Sequence, residues 1–287
     1  MCIRDRSNEA IQAYPTRQKD YHKNTVLPYL LESKEVRDVL ALRRTARQIR
    51  FQSLQEAVNG AKHLNAEQKQ AVNRFMSQSV GAPLLVMSKP PMPSFLPKPG
   101  PCMIPMGAEL LDSAKGKRIG IETAMICVMD LKSGNEVMFS ISDAIRNDTL
   151  GLVVSHEIAH AIQFDLYGKL FHQIQRVSSN GHDAPYITDL GLAYIEGWAE
   201  AFEAVYGPNN PKLKEKDRSK YNVSEFLFGR QDPIRRGRYI WAADAGRRAG
   251  VLKNGAQLLA TEGVVAGIFY DILTNRAINA PFDKCVH

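Results

Sequence analysis

The chain has 287 residues, 44% of them hydrophobic and 23% charged, and its formal net charge is +7. This length allows one large domain or two modest ones, each with a substantial core. No run approaches eighteen apolar residues, and the basic stretches lack the interleaved aromatics of nucleic-acid binders, so we expect neither a transmembrane span nor a nucleic-acid partner.

The first residues are interpreted as an artefact. Met-Cys-Ile-Arg-Asp can be encoded by DNA that matches the end of a widely used transposase sequencing adapter. We therefore interpret residues 1–6 as a sequencing or cloning scar and expect the natural protein to begin upstream. A signal peptide lost there would make the protein extracytoplasmic or secreted, and this is our expectation for its compartment.

Residues 7–82 are predicted to form a helical N-terminal region. Apolar residues recur with helical periodicity over residues 33–57. Asn65 and Gln68 then form a capping-box pattern, which predicts that a second helix begins directly after Asn65.

A proline-rich segment follows. Eight of the fifteen prolines lie between Pro83 and Pro105. Proline fixes φ and lacks a backbone donor, so this density disfavours a helix or a central strand. We predict that residues 83–106 are an extended linker at a domain boundary or a strap across the domain that follows.

The next segment is rich in β-forming residues. Residues 118–131 contain many Ile, Thr, Met, Cys and Val side chains, and residues 132–135 read Lys-Ser-Gly-Asn, a turn sequence. Residues 137–141 resume the β pattern. The sequence therefore predicts a β-hairpin just upstream of the most informative helix of the chain.

Residues 156–160 of that helix read His-Glu-Ile-Ala-His, in an apolar segment that runs from an Asn-Asp-Thr capping sequence to Gly168. Positions four apart share one helical face, so His156 and His160 can bind one metal ion. Glu157 lies beside them, where its carboxylate can reach an attacking water. Burying such polar groups in an apolar helix is costly unless they are satisfied, which favours a catalytic zinc site.

Catalytic zinc requires a third protein ligand. Gln163 and Leu166 occupy positions where one family continues the motif with glycine and histidine, so that pattern is absent. A second helix is predicted over residues 189–206, and it carries Glu196 and Glu200 four positions apart on one face. The alternatives to Glu196 that the sequence leaves open are Asp189, Glu203 and His182.

The pair of motifs His-Glu-Ile-Ala-His and Glu-Gly-Trp-Ala-Glu resembles the gluzincins, the thermolysin-like and aminopeptidase-like zinc metallopeptidases. The resemblance covers residues from about 120 to 275, and these two motifs are its specific part. It implies an α+β, predominantly helical fold with a zincin-like catalytic core in residues 107–287, where a last helix is predicted over residues 255–274. It also implies hydrolysis of peptide or protein substrates by a zinc-activated water, with Glu157 as general base.

The resemblance assigns further roles. Glu196 becomes the third zinc ligand, and Glu200 becomes the carboxylate that orients the ring of His156. An edge strand of the upstream sheet is expected to pair with extended peptide. A donor must also stabilise the oxyanion, and Tyr239 is the first candidate. The other candidates for this donor are Tyr270 and His182.

Two other functional classes stay open. A non-catalytic zinc-stabilised fold or partner-binding protein is the first, although it has no use for a base such as Glu157. A hydrolase of non-peptide amides is the second. Peptide deformylases also carry His-Glu-x-x-His, but their upstream cysteine motif is absent around Cys102. Cys102 is expected to be a buried loop cysteine, with a zinc-capping thiolate as the alternative. With Cys2 set aside, the cysteines show neither zinc-finger spacing nor an obvious disulfide framework.

Overall fold

The computed structural model describes residues 11–13, 22–80, 82–88, 102–112, 117–128, 130–133, 136–168, 170–174, 184, 186–206 and 252–274. Helices predominate in these ranges, and they are accompanied by one mixed sheet and one short hairpin. The α+β, predominantly helical class predicted from the sequence is confirmed at this level. Within the same ranges, none of the helices combines the length and the apolar character needed to cross a bilayer.

The N-terminal helices follow the predicted boundaries closely from residue 22 onward. The prediction of a helical region over residues 7–82 is wrong at Ile11–Ala13, which form a strand, and residues 7–10 and 14–21 lie outside the described residues. They are a π-helical turn (His22–Val26) that continues into α1 (Leu27–Glu32), then α2 (Lys34–Gly60) and α3 (Ala66–Val80). The Ser33 hydroxyl accepts a hydrogen bond from the backbone nitrogen of Val36 and so caps α2. Asn65 and Gln68 form the predicted capping box, in which each side-chain oxygen lies 2.9 Å from the other residue's backbone nitrogen.

A four-stranded sheet corrects the prediction for residues 84–88 and 102–106 of the proline-rich segment, while residues 89–101 lie outside the described residues. Its strands are β1 (Ile11–Ala13), β2 (Leu84–Ser88), β3 (Cys102–Asp112) and β4 (Lys117–Val128). The order is β1-β2-β4-β3, so β2 is an internal strand with parallel neighbours on both sides. The prediction failed because the prolines were averaged over the whole segment, whereas Leu84–Ser88 contain none. Pro105 lies in β3, the terminal strand of the described sheet, where a missing N–H is tolerated.

The hairpin prediction is confirmed only in its second half. Strands β5 (Leu131–Ser133) and β6 (Glu136–Phe139) pair in antiparallel fashion around the expected turn. The longer stretch upstream belongs instead to β4, which pairs with β2 and with β3. Strand propensity identifies such segments but carries no information about the partner strand, and this explains the error.

Six helices complete the described fold. They are α4 (Ile141–Arg146), α5 (Leu150–Tyr167), α6 (Leu170–Ile174), α7 (Leu190–Tyr206), α8 (Gly255–Leu259) and α9 (Glu262–Thr274). Gly168 ends α5 at a φ of 56°, a conformation that glycine adopts without strain, as its position in the sequence predicted. The single helix predicted over residues 255–274 is two helices, because Thr261 leaves the helical path to form a β-bridge with Ile187.

A buried ionic network joins α2 to α5. Arg43 and Arg47 of α2 both donate to the carboxylate of Asp165 on α5, and the Arg43 Nε to Asp165 Oδ2 distance is 2.8 Å. Arg47 also donates to the backbone oxygen of Ser79 at the end of α3. All three charged side chains are at least 96% shielded from solvent. Removing one partner from such a network leaves a buried charge uncompensated, so the network fixes the position of α5 strongly.

Candidate metal centre

Helix α5 is held in place from several sides. Val154, Ile158 and Ala161 are fully buried in a core shared with α1, α2 and the sheet. These residues lie on the faces of α5 that the two motif histidines do not occupy, and α7 packs against the helix as well. The apolar residues of α5 therefore decide which face His156 and His160 present.

The structure brings His156, His160 and Glu196 together, although Glu196 lies on α7. The two histidine Nε2 atoms are 3.2 Å apart. Glu196 Oε2 is 3.3 Å from the Nε2 of His156 and 3.2 Å from the Nε2 of His160. The three atoms thus form a nearly equilateral triangle, and among the described residues they are the one His, Cys, Asp or Glu group of three compact enough to hold a metal ion.

The dimensions of this triangle fit a small tetrahedral cation. Zinc binds histidine nitrogen and carboxylate oxygen at about 2.0–2.2 Å, so two ligands in tetrahedral directions are separated by about 3.3–3.5 Å. The observed separations are 3.2–3.3 Å. Two imidazoles and one carboxylate are also the donor set of several catalytic zinc sites. By both geometry and chemistry, the residues fit zinc.

The electrostatics of the cluster differ from residue to residue. Burial opposes ionisation of Glu196, but the nearby histidines outweigh it and hold the pKa of this carboxyl well below its usual range. Burial also opposes protonation of His156, yet contacts with Glu196 and Glu203 raise its pKa well above the usual value. Glu157 has only 6% of its surface exposed. Burial raises its pKa, and the charges of His156 and His160 partly offset this effect.

Glu203 occupies the place that the resemblance assigned to Glu200. Its Oε1 lies 2.9 Å from Nδ1 of His156, an ion-pair contact that does not meet hydrogen-bond geometry, so Glu203 is the carboxylate next to that ring nitrogen. The reason is geometric. Glu203 lies seven residues, or two helical turns, beyond Glu196 on α7. The Nε2 atom of the His156 ring faces Glu196, so Glu203 meets the opposite side of the same ring. From sequence alone, Glu203 was only an alternative ligand.

Glu200 has a different environment. Its Oε2 is buried and has no hydrogen-bond partner among the residues that the structure describes. Burial, followed by the charge of nearby Glu262 on α9, raises the pKa of Glu200 well above its ordinary value.

Gln163 is a site residue that the sequence did not reveal. Its Oε1 lies 3.3 Å from Nδ1 of His160, and the residue is 1% exposed. An N–H at Nδ1 donating to this oxygen leaves Nε2 of His160 free to bind a metal. The spacing of three residues along α5 was visible in the sequence, but it was considered only as evidence against an extended histidine motif.

The glycine of the Glu-Gly-Trp-Ala-Glu motif also has a structural reason. A Cβ atom at Gly197 would lie 2.8 Å from the backbone nitrogen of Ala266 and 2.9 Å from the backbone oxygen of Glu262. Only a residue without a side chain allows α7 and α9 to approach so closely. Since Gly197 follows Glu196 directly, this contact also fixes the depth at which Glu196 enters the cluster.

The other residues considered as ligands or oxyanion donors lie in different parts of the chain. The carboxylate of Asp189 accepts a hydrogen bond from the backbone nitrogen of Leu192 and caps α7, which accounts for this residue without a metal. Tyr270 lies in α9. Tyr239 and His182 lie outside the described residues. Cys102 begins β3 and is partly exposed, so the expectation of a buried loop cysteine is wrong on both counts.

Comparisons of the chain with protein-family models, with curated proteins and with solved structures find no match.

The contact between Glu203 and His156 leads to a prediction. Glu203→Gln should weaken zinc binding by about 10- to 100-fold, because the ring loses the carboxylate that orients it, while zinc still binds at saturating concentration. The measurement is a competition titration against a chromogenic chelator. The matched control is Glu200→Gln on the same helix, for which we expect a smaller change. A larger loss for Glu200→Gln than for Glu203→Gln would contradict the assignment.

Proposed function

We propose that this protein is a zinc-dependent metallopeptidase with a zincin-like catalytic core. The observation that carries the proposal is the triangle of His156, His160 and Glu196, with Glu157 directly next to the first ligand on α5. A structural zinc site is usually closed by four protein ligands, whereas a catalytic site has three and one open position. The described residues supply three.

Each residue has a distinct role in the proposed reaction. His156, His160 and Glu196 would hold the ion, which when bound acts as a Lewis acid and acidifies the attacking water. Glu157 accepts the proton of that water and then delivers it to the leaving amine. Its burial and raised pKa favour the first of these steps, because the protonated form of the carboxyl is stabilised. Gln163 and Glu203 orient the two imidazoles.

Strand β3 supports a peptide substrate in particular. It is the terminal strand of the described sheet, and it contacts α5, the helix that carries Glu157. A terminal strand offers main-chain donors and acceptors that an extended peptide can pair with, whatever its side chains. We therefore propose that β3 binds the main chain of the substrate peptide. Other surfaces of the protein would then select among the side chains of that peptide.

Metal analysis combined with a cleavage assay tests the proposal. The purified 287-residue chain should contain about one zinc ion per molecule, as expected of one set of three ligands. It should cleave members of a mixed peptide library, and a chelator should abolish cleavage until zinc is restored. Stoichiometric zinc without any cleavage, and a chelator that only lowers the melting temperature, would favour the non-catalytic zinc-stabilised fold.

A further inference from the structure

Two cysteines lie opposite each other in the four-stranded sheet. Cys102 is the first residue of β3, and its direct partner in the antiparallel ladder is Cys127 of β4. Directly opposed residues in such a ladder have Cα atoms about 4.5 or 5.5 Å apart. Both spacings fall within the range of about 4.4–6.8 Å that disulfides span.

The Cys102 side chain also affects the pKa of the Cys127 thiol. A hydrogen bond with Cys102, together with burial, raises the pKa of the Cys127 thiol above its ordinary value. Cys127 has no exposed surface, whereas Cys102 is partly exposed. A dissolved oxidant can therefore reach Cys102 first, and Cys127 lies directly behind it.

We propose that Cys102 and Cys127 form a reversible disulfide that ties the start of β3 to β4. The inference concerns a modification site and does not depend on the proposed peptidase activity. The oxidant is a low-molecular-weight disulfide such as glutathione disulfide. Strand β3 is the terminal strand of the described sheet, where β4 is its one neighbour, and it follows the proline-rich segment. A covalent bond at the first residue of β3 therefore adds a restraint to the hydrogen bonds with β4.

The exchange proceeds in two balanced steps. The Cys102 thiolate attacks one sulfur of glutathione disulfide, forms a mixed disulfide and releases a glutathione thiolate. The Cys127 thiol then loses its proton to the released thiolate or to solvent and attacks the Cys102 sulfur. The Cys102–Cys127 bond forms and the second glutathione leaves. Two protein thiols are oxidised, and one glutathione disulfide is reduced to two thiols.

The test uses the full chain with Cys2→Ser and Cys285→Ser, which leaves two of its four cysteines. After equilibration with reduced and oxidised glutathione in varied ratios, free thiols are alkylated and the intact mass is measured. We expect both thiols to disappear together, without added glutathione mass, and to return with dithiothreitol. A lasting single glutathione adduct, or two free thiols at the most oxidising ratio, would overturn the proposal.

A second variant tests whether Cys127 reacts only after Cys102. Adding Cys102→Ser to the same background leaves Cys127 alone, with an isosteric hydroxyl opposite it. In this variant, when folded, Cys127 should stay reduced and resist alkylation, because the partly exposed thiol of Cys102 that reacts first with glutathione disulfide is absent. Glutathione uptake by Cys127 at the rate seen for Cys102 would show that the buried thiol reacts independently, which contradicts the ordered exchange. The oxidised parent should also melt at a higher temperature than its reduced form.

Discussion

Glu157→Gln is expected to abolish peptide hydrolysis while leaving zinc in place, with a loss in kcat/KM of about 100-fold or more. Glutamine has nearly the same shape as glutamate but cannot accept the proton of the attacking water. Glu157 is not one of the three residues whose atoms form the ligand triangle, so its replacement leaves the metal ligands unchanged. The measurement is cleavage of the best library peptide, with zinc content determined on the same sample.

The control for this experiment is Glu56→Gln on α2, which makes the same chemical change at an exposed position. It should leave both activity and zinc content unchanged. Retention of full activity by Glu157→Gln would remove this residue from the mechanism. Loss of zinc along with activity would mean that Glu157 is itself a ligand or is required for folding of the site.

Glu196→Gln is expected to have the largest effect on metal content. A neutral amide oxygen is a much weaker zinc donor than a carboxylate, so zinc should fall from about one ion per chain to a small fraction of that. His160→Ala should have the same effect, because it removes another corner of the triangle. Both variants are measured by elemental analysis after dialysis against a weak chelator.

Glu200→Gln, four residues along the same helix, is the matched control and should retain zinc. If Glu200→Gln lost zinc and Glu196→Gln kept it, the ligand assignment would be displaced by one helical turn. Full zinc in both Glu196→Gln and His160→Ala would rule out the proposed centre altogether. Circular dichroism of each variant separates loss of the site from loss of the fold.

The two cysteines show how a site can be invisible in the sequence. Twenty-four residues separate Cys102 from Cys127, a spacing typical of no zinc or disulfide motif. Their pairing depends on the register of β3 against β4. A shift of one residue would place the two side chains on opposite faces of the sheet, and nothing in the local sequence fixes the register to that accuracy.

Local interactions were determined by the sequence alone. The capping box of Asn65 and Gln68, the helix end at Gly168, and the shared face of His156 and His160 all involve residues at most four positions apart or a single backbone conformation. Helical geometry fixes such relations whatever the rest of the chain does. For the same reason the sequence could predict that His156 and His160 share the face of the candidate metal cluster without any knowledge of the fold.

Tertiary structure decided the rest, because the groups concerned are far apart in the chain. Which glutamate of α7 joins the histidines depends on the rotation and depth of α7 against α5, and the close approach of α7 to α9 at Gly197 helps to fix that depth. The same rotation places Glu203, and not Glu200, against His156. Strand β2 became internal through its neighbours β1 and β4. Periodicity specifies which residues of an element are buried, but packing between elements selects the partner of each.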